Sequence, residues 1–379
     1  MLIETREVTT SRQLRAFIGF PLSLYKGSPY YVPSLYMDEQ YALRKDKNFA
    51  FEHCEAKYWL AYRDGKVVGR VAAILNHKHI EKWGQPYLRF GWLDFVDDPA
   101  VVEALMGEVE GWARQLGLAA VHGPLGFTDM DREGMLVEGF EEPGTLATNY
   151  NFPYYPAHLE RLGYTKDVDW VEYQISLPAE PNEKVERACE LVMRRLKLRL
   201  LKIKNKRELL KISMDIFHLL DEEYGHLYGT VPLSERQMQA YIDMYFGFAI
   251  PAFIPVVVDE HDRMVAFGIS MPSFTRALQK GRGSLLPFGF WHLWRAMKKN
   301  DQADLYLVAI RSEYQGKGVN ALLMSQLMVA MRKFGIRKVE SNPELESNDA
   351  VRSQWKNFDA RQHKRRRCFI KTLEAAPPV

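Results

Sequence analysis

Gln315-Gly316-Lys317-Gly318 joins an apolar run, Leu305–Ile310, to a segment in which Leu322, Leu323, Leu327, Ala330, Met331 and Phe334 repeat at helical spacing. A glycine turn between a strand and a helix suits an anion. Glycine permits the tight turn and lets the backbone come close to a ligand. The first N–H groups of the helix have no intrahelical partner and lie at the positive end of its dipole. The chemistry expected at this junction is the holding of a pyrophosphate.

Which pyrophosphate is a separate question. Gly316-Lys317-Gly318-Val319-Asn320-Ala321 fits G-x-G-x-x-A, and Glu340 lies about 20 residues on, where a dinucleotide fingerprint places an acid. A dinucleotide-binding unit, however, places its loop after the first strand, and here only two strands and a helix are expected to follow. The K-[ST] ending of a P-loop is missing as well. A further alternative is that the glycines only tighten a strand–helix connection.

The elements that must position this loop occur twice. In the first half, a strand Leu2–Val8 and a helix Ser11–Tyr25 precede a hairpin, Tyr58–Arg63 and Val67–Ile74, turned at Asp64-Gly65. A strand Tyr87–Val96, a helix Pro99–Leu116, a strand Leu118–Gly123, a helix Tyr155–Leu162 and a strand Trp170–Leu177 follow. Past the polar, proline-containing Pro178–Glu183 the order recurs after a connecting helix, Asn182–Leu196. The strand Arg199–Lys204, the helix Lys206–Tyr228 and the hairpin Ile254–Asp259 and Met264–Met271 lead to the strand Asp304–Ile310. The helix Val319–Phe334, the strand Arg337–Asn342, a helix Asp349–Phe358 and a strand Arg367–Leu373 complete it. The expectation is an α/β chain of two tandem domains, residues 1–177 and 178–379, each a mixed α+β sheet flanked by helices.

Leu305–Leu323 resembles the acetyl-CoA signature of the GNAT acyltransferases, whose loop reads Arg/Gln-x-x-Gly-x-Gly/Ala. Gln315 and Gly318 match its first and fourth positions, and Asn320 stands where glycine or alanine is usual. Asn348, Val351 and Trp355 fall where that family shows an asparagine, a small residue and a tyrosine. In the first half, Leu159-Glu160-Arg161-Leu162-Gly163-Tyr164 resembles the family's closing helix and turn, but Val96-Asp97-Asp98-Pro99 occupies the phosphate-loop junction. Two carboxylates there would repel a pyrophosphate. Over its whole length the chain resembles tandem GNAT-like bacterial proteins.

The resemblance implies an acetyl-CoA or other acyl-CoA cosubstrate and an amine or peptide acceptor. The backbone of Leu307, Val308, Ala309 and Ile310 would pair with pantetheine. The amides of Gln315, Gly316, Lys317, Gly318 and Val319 would take the pyrophosphate, with charge from Lys317, and Asn320, Asn348 and Trp355 would border the cofactor. Direct transfer needs a base, a carbonyl donor and an acid. An amide near Val308 or Ala309 is the expected donor, and Glu340, Glu222 and Glu223 are the candidate bases. Trp355 holds the place of the family's tyrosine acid, and an indole N–H only donates. Tyr224, Tyr228 or water would then supply the proton, or the domain would bind acyl-CoA without efficient transfer. A non-catalytic acyl-CoA-binding regulator and an aminoacyl-tRNA-dependent transferase are the competing functions.

The bulk of the sequence narrows these readings. With 379 residues, 47% apolar and 26% charged, the chain is expected to be globular, and its net charge of +3 does not mark a nucleic-acid protein. Cys54, Cys189 and Cys368 lie far apart and read as free thiols of a reducing cytosol. His77 and His79 lack a third ligand at a recognisable spacing, so no metal is expected. No cleavable leader and no membrane-spanning run are read from the sequence, and a soluble cytoplasmic protein is expected. The basic run Lys364–Arg367 reads as a solvated loop entering the last strand, with contact to a nucleic-acid backbone or to the ribose phosphate of CoA as alternatives. Leu285–Lys299 reads as an aromatic, basic amphipathic helix packed on the neighbouring domain, with a membrane surface or an acyl pocket as alternatives. The acid-bearing segment Gly123–Asn151, with Asp129, Asp131, Glu133 and Glu138, reads either as a packed Ω-loop or as a segment that reaches toward the second half's site and meets the acceptor.

Overall fold

Pro99–Gln115 (α4) shows how local sequence builds each half. Asp98 caps its first turn, accepting from the Ala100 amide at 2.8 Å, and Pro99 takes a position where a missing N–H costs nothing. Val101, Val102, Leu105, Met106, Val109, Trp112 and Ala113 recur at three- and four-residue steps and are all buried. The helix approaches the sheet closely: a Cβ on Gly69 would lie 2.7 Å from Leu105 Cδ1.

The computed structural model describes residues 2–180, 182–348 and 354–374. The first half runs β1 (Glu4–Glu7), α1 (Ser11–Leu24), α2 (Tyr36–Leu43), β2 (Cys54–Arg63), β3 (Lys66–Asn76), α3 (His77–Trp83) and β4 (Tyr87–Phe95). After α4 come β5 (Ala120–Gly123), β6 (Met135–Glu138), α5 (Tyr154–Arg161) and β7 (Thr165–Ser176). The second half begins with α6 (Glu183–Leu196), β8 (Arg199–Leu200), α7 (Lys206–Lys211), α8 (Ser213–Tyr224) and α9 (Glu235–Tyr245). It continues with β9 (Val256–Val258), β10 (Met264–Pro272), α10 (Thr275–Gly281), α11 (Gly289–Lys298) and β11 (Gln302–Ile310). It ends with α12 (Val319–Phe334), β12 (Lys338–Glu340), β13 (Glu344–Leu345) and β14 (Asp359–Thr372).

The strands form one mixed sheet in the order β1-β2-β3-β4-β5-β14-β7-β12-β11-β10-β9-β8, with β6 on β14 and β13 on β7. The order is matched about its centre. β4 pairs β5 in parallel and β11 pairs β12 in parallel, each flanked outward by antiparallel strands. This is the expected tandem α/β arrangement. The two sets interlock: β14 lies against β5 of the first half, and β7 against β12 of the second. A break at residue 177 therefore divides the sequence without dividing the sheet.

Several expected elements differ. The helix expected over Lys206–Tyr228 is broken at Ile212, where Ser213 Oγ turns back to the Leu210 carbonyl at 2.8 Å. Of Arg199–Lys204 only Arg199–Leu200 pairs as a strand. The helix expected over 349–358 lies partly outside the described residues, and Gln354–Asn357 forms one 3-10 turn. The basic run Lys364–Arg367 is corrected most sharply, because it sits inside β14 rather than in a solvated loop. Period-two alternation turns Lys364 and Arg366 inward, both fully buried, where Glu172 pairs with each and Glu340 lies 2.7 Å from Lys364 Nζ. Carboxylates already inside the sheet make that burial tolerable.

Candidate functional site

β11 pairs with β10 along nearly its whole length but with β12 only over Gln302–Asp304. After Glu340 the chain turns away, and the Ser341 amide donates to the Tyr173 carbonyl at 2.8 Å. A seam opens there, and among the described residues no strand pairs with the seam edge of Leu305–Ile310. Asn342 Nδ2 donates across its top to the Tyr306 carbonyl at 2.9 Å. Tyr224, the last residue of α8, reaches in from the other side. Its hydroxyl donates to the Val308 carbonyl oxygen at 3.1 Å and accepts from the Val308 amide at 3.4 Å.

Beyond this edge lies the glycine loop. Gly316 and Gly318 have φ of 70° and 87°, the left-handed region that favours glycine. Glu223 holds the start of the loop, accepting from the Ser312 amide at 3.1 Å, Ser312 Oγ at 2.8 Å and Gln315 Nε2 at 3.2 Å. No side chain caps α12. The corresponding end of α4 in the first half is capped by Asp98, which also pairs with Arg63. The two helix starts thus differ in the feature that decides anion binding.

The seam opens into a cavity of about 350 Å3, within the range of small-molecule sites. Tyr306, Leu307, Asn342 and Pro343 border it at the seam, α2 and residues 129–135 of the first half wall one side, and α8 and α9 wall the other. Segment Gly123–Asn151 reaches the second half here: Thr128 Oγ1 lies 2.8 Å from the Tyr241 hydroxyl, and Thr275 Oγ1 donates to the Gly144 carbonyl at 3.0 Å. The wall is aromatic and methionine-rich, with Phe217, Tyr241, Met244, Tyr245 and Met271. Set into it are Asp129, Asp131 and Glu133. Asp131 accepts from the Phe127 and Thr128 amides at 2.8 and 3.2 Å, which fixes the loop. Glu133 Oε1 has no hydrogen-bond partner among the described residues. Burial first, and then the neighbouring Asp129, pushes its carboxyl up to about 8. Burial likewise raises Asp129 and Asp131 to about 6, and the Tyr224 phenol to about 12.

The residues expected to act are dispersed. Leu307 and Tyr224 line the cavity, while Val308, Ala309 and Ile310 continue the same strand in register with Gly268, Phe267 and Ala266. Glu222 is a surface group paired with Arg311 at 2.7 Å, and Glu223 is committed to the loop. Glu340 is buried away from the cavity lining, 2.5 Å from His363 Nε2 and 2.7 Å from Lys364 Nζ. Tyr228 lies against Asp167, with His122 Nδ1 at 3.1 Å, in a cluster at the first half's sheet. Trp355 is buried, and its indole donates to Glu344 at 3.0 Å. Asn320 Nδ2 donates to Gln354 Oε1 at 2.5 Å, the Lys317 ammonium sits 5.9 Å from the Tyr314 ring centre, and the Asn348 amide donates to the Leu345 carbonyl at 2.9 Å. Val351 lies outside the described residues. Sequence reasoning saw Glu133 only as part of an acidic loop. It missed Tyr241 and Tyr245, whose spacing of four on α9 was the available signal.

Residues 214–357 match the model of the Acetyltransferase (GNAT) family. Protein YghO of Escherichia coli (strain K12) is 29% identical over 97% of this chain and 95% of its own. Bacterial ceramide synthase of Caulobacter vibrioides (strain NA1000 / CB15N) is 25% identical over 97% of this chain and 96% of its own. Among solved structures, a tandem GNAT protein from the clavulanic acid biosynthesis pathway covers 100% of both chains with a TM-score of 0.58 at 13% identity, a likeness of fold. Uncapped helix, open strand edge and doubled sheet agree with these matches: the chain is a tandem GNAT-fold protein whose second half carries the acetyltransferase (GNAT) family match.

Proposed function

We propose that the chain is an acyl-CoA-dependent N-acyltransferase that acylates a primary amine bearing an apolar chain, by direct attack of the amine on the thioester. One observation carries this reading: the acid-bearing apolar cavity reaches the open edge of β11 at Tyr306 and Leu307. Pantetheine would add to the edge at Leu307–Ile310, and the pyrophosphate would sit on the amides of Gln315–Val319. A cationic amine is drawn to Asp129 and Asp131, beside Glu133, and its chain lies on the aromatic and methionine wall.

In its ionised form Glu133 takes the ammonium proton, since a carboxylate whose pKa is raised to about 8 holds that proton more firmly than an ordinary one. The amine nitrogen then bonds the acyl carbon, the carbon–sulfur bond breaks, and the second proton shed by the nitrogen goes to the departing thiolate. The Tyr224 phenol stays protonated at neutral pH and stands on the strand edge, so it serves as donor to the carbonyl or the sulfur. The ceramide synthase relative, similar over the whole length, supports an amphipathic amine as the acceptor class.

The test is CoA release by the purified chain with acetyl-CoA and longer acyl-CoAs against a panel of short polar amines, peptides and long-chain amino alcohols. Release with the long-chain amino alcohols is expected. A thermal shift with acyl-CoA but no release with any amine would leave a binding protein rather than an enzyme. Release only with polar amines would overturn the apolar acceptor.

A further inference from the structure

The segment between β10 and β11 turns large apolar side chains to water. Leu286, Phe288, Phe290, Trp291 and Trp294 are 80, 70, 60, 49 and 51% exposed, and Tyr36 and Met37 beside them are 42 and 54% exposed. Leu293 is buried and anchors α11 to Phe274, Leu278 and Val32. The expectation that this helix packs against the neighbouring domain is therefore corrected: one side packs, and the aromatic side does not. A contiguous exposed apolar face of this kind marks an interaction surface.

Charge narrows what covers it. From Thr275 to Asn300 the sequence holds Arg276, Lys280, Arg282, Arg295, Lys298 and Lys299 and not one carboxylate, in a chain that is otherwise nearly balanced. Protein interfaces are depleted of lysine, whereas tryptophan, phenylalanine and leucine beside a Lys/Arg face is the pattern of helices that lie on anionic lipid. The Arg295 guanidinium sits 5.5 Å from the Trp291 ring centre, so the basic and aromatic groups share one face. No helix among the described residues is long and apolar enough to cross a membrane.

Position narrows it further. The Tyr36 amide donates to the Gly283 carbonyl at 2.9 Å, and a Cβ on Gly283 would lie 2.1 Å from the Ser34 carbonyl oxygen, which clamps the segment to the start of α2. Ser34, Asp38, Glu39 and Tyr41 from that same stretch line the cavity. α2 thus runs from the exposed apolar face directly into the cavity wall.

We infer that Leu286–Lys299, with Tyr36 and Met37, is a docking surface for an anionic lipid bilayer. The aromatic side chains enter the headgroup region, the basic residues meet lipid phosphates, and the cavity wall lies at the membrane surface. That this placement delivers the acceptor rests on the proposed amphipathic amine; the docking itself does not.

The test uses the full chain in sedimentation with vesicles of phosphatidylcholine alone or mixed with phosphatidylglycerol. Binding to the phosphatidylglycerol vesicles is expected, weakened about tenfold or more by Trp291→Ser with Trp294→Ser and to a similar extent by Lys298→Glu with Lys299→Glu. Thermal melting at the parent's temperature shows that these variants remain folded. Vesicle binding is read whether or not any amine is acylated, so failure of the enzymatic reading is seen separately. Absent binding, or variants that bind as well as the parent, would overturn the inference. So would a self-associated chain that the tryptophan variant dissociates, which would assign the face to a second copy.

Discussion

The Tyr224 hydroxyl lies 3.1 Å from the Val308 carbonyl oxygen and 3.4 Å from the Val308 amide, so one side chain meets both backbone groups of Val308 on the open edge of β11. An incoming thioester must share or displace this hydroxyl. Tyr224→Phe keeps the ring in the wall and removes only the donor. The expected outcome is a fall in kcat of about 100-fold, the scale of losing one preorganised donor, with KM for acyl-CoA little changed. Steady-state kinetics checks it; an unchanged kcat would remove Tyr224 from the chemistry.

Gly318 offers a second test. Its φ of 87° strains any L side chain, and a Cβ would come within 3.0 Å of Val192 Cγ2. Gly318→Asp would also place at α12 the carboxylate that Asp98 already provides at α4. The variant is expected to lose the rise in melting temperature that acyl-CoA gives the parent, by scanning calorimetry. Gly316→Ala has open space at its Cβ and only the strain of φ 70°, of order 1–2 kcal/mol, so it should keep part of the shift.

Glu133 predicts a pH dependence. Its carboxyl is raised to about 8, so the base form grows, and the rate should rise, as pH passes upward through that value. The sign for stability is opposite. A raised folded-state pKa favours the fold below the unfolded value near 4.3 and withdraws that support as pH climbs to about 8. Glu133→Gln is thus expected to lose most activity, 100-fold or more on the usual scale of about 10²–10⁴ for a general base. It should nevertheless melt higher than the parent at pH 7–9. A variant that is both active and no more stable would exclude the assignment.

The buried charges between the halves predict acid sensitivity. Burial alone would raise the Glu172 carboxyl, but Arg366 and Lys364 outweigh it and hold it at about 2. A depressed carboxylate stabilises the fold above its unfolded pKa, and the contribution fades as pH falls from about 4 toward 2. Lys364→Met leaves Glu172 and Glu340 short of a cation and is expected to cost about 3–5 kcal/mol, read by urea unfolding at pH 7. The same variant should lose less further stability on acidification than the parent does.

How much was legible in the sequence follows from what each signal depends on. Leu322, Leu323, Leu327 and Met331 announced α12 because a helix writes its buried face into every third and fourth residue. Asp64-Gly65 announced the first hairpin because the turn requires its own residues. Lys364 and Arg366 misled, because their burial depends on Glu172, almost two hundred residues away in sequence. Glu133 was visible only as one acid among several, since its unpartnered oxygen and raised pKa come from Asp129 and from walls built by both halves. The exposed side of α11 was indistinguishable from a packed one, because an apolar stripe reads the same whether or not anything covers it.

The exchange of β7 and β14 has a consequence for how the molecule is made. β14 lies at the middle of the sheet, yet among the described residues it follows every other strand in sequence. Until it arrives, β5 and β7 both present unpaired backbone, and the first half waits with an open slot of the kind that invites wrong partners. Domains usually close one after another as they leave the ribosome. Here the first half cannot close from its own strands alone, because the strand that fills the gap between β5 and β7 is drawn from the second half.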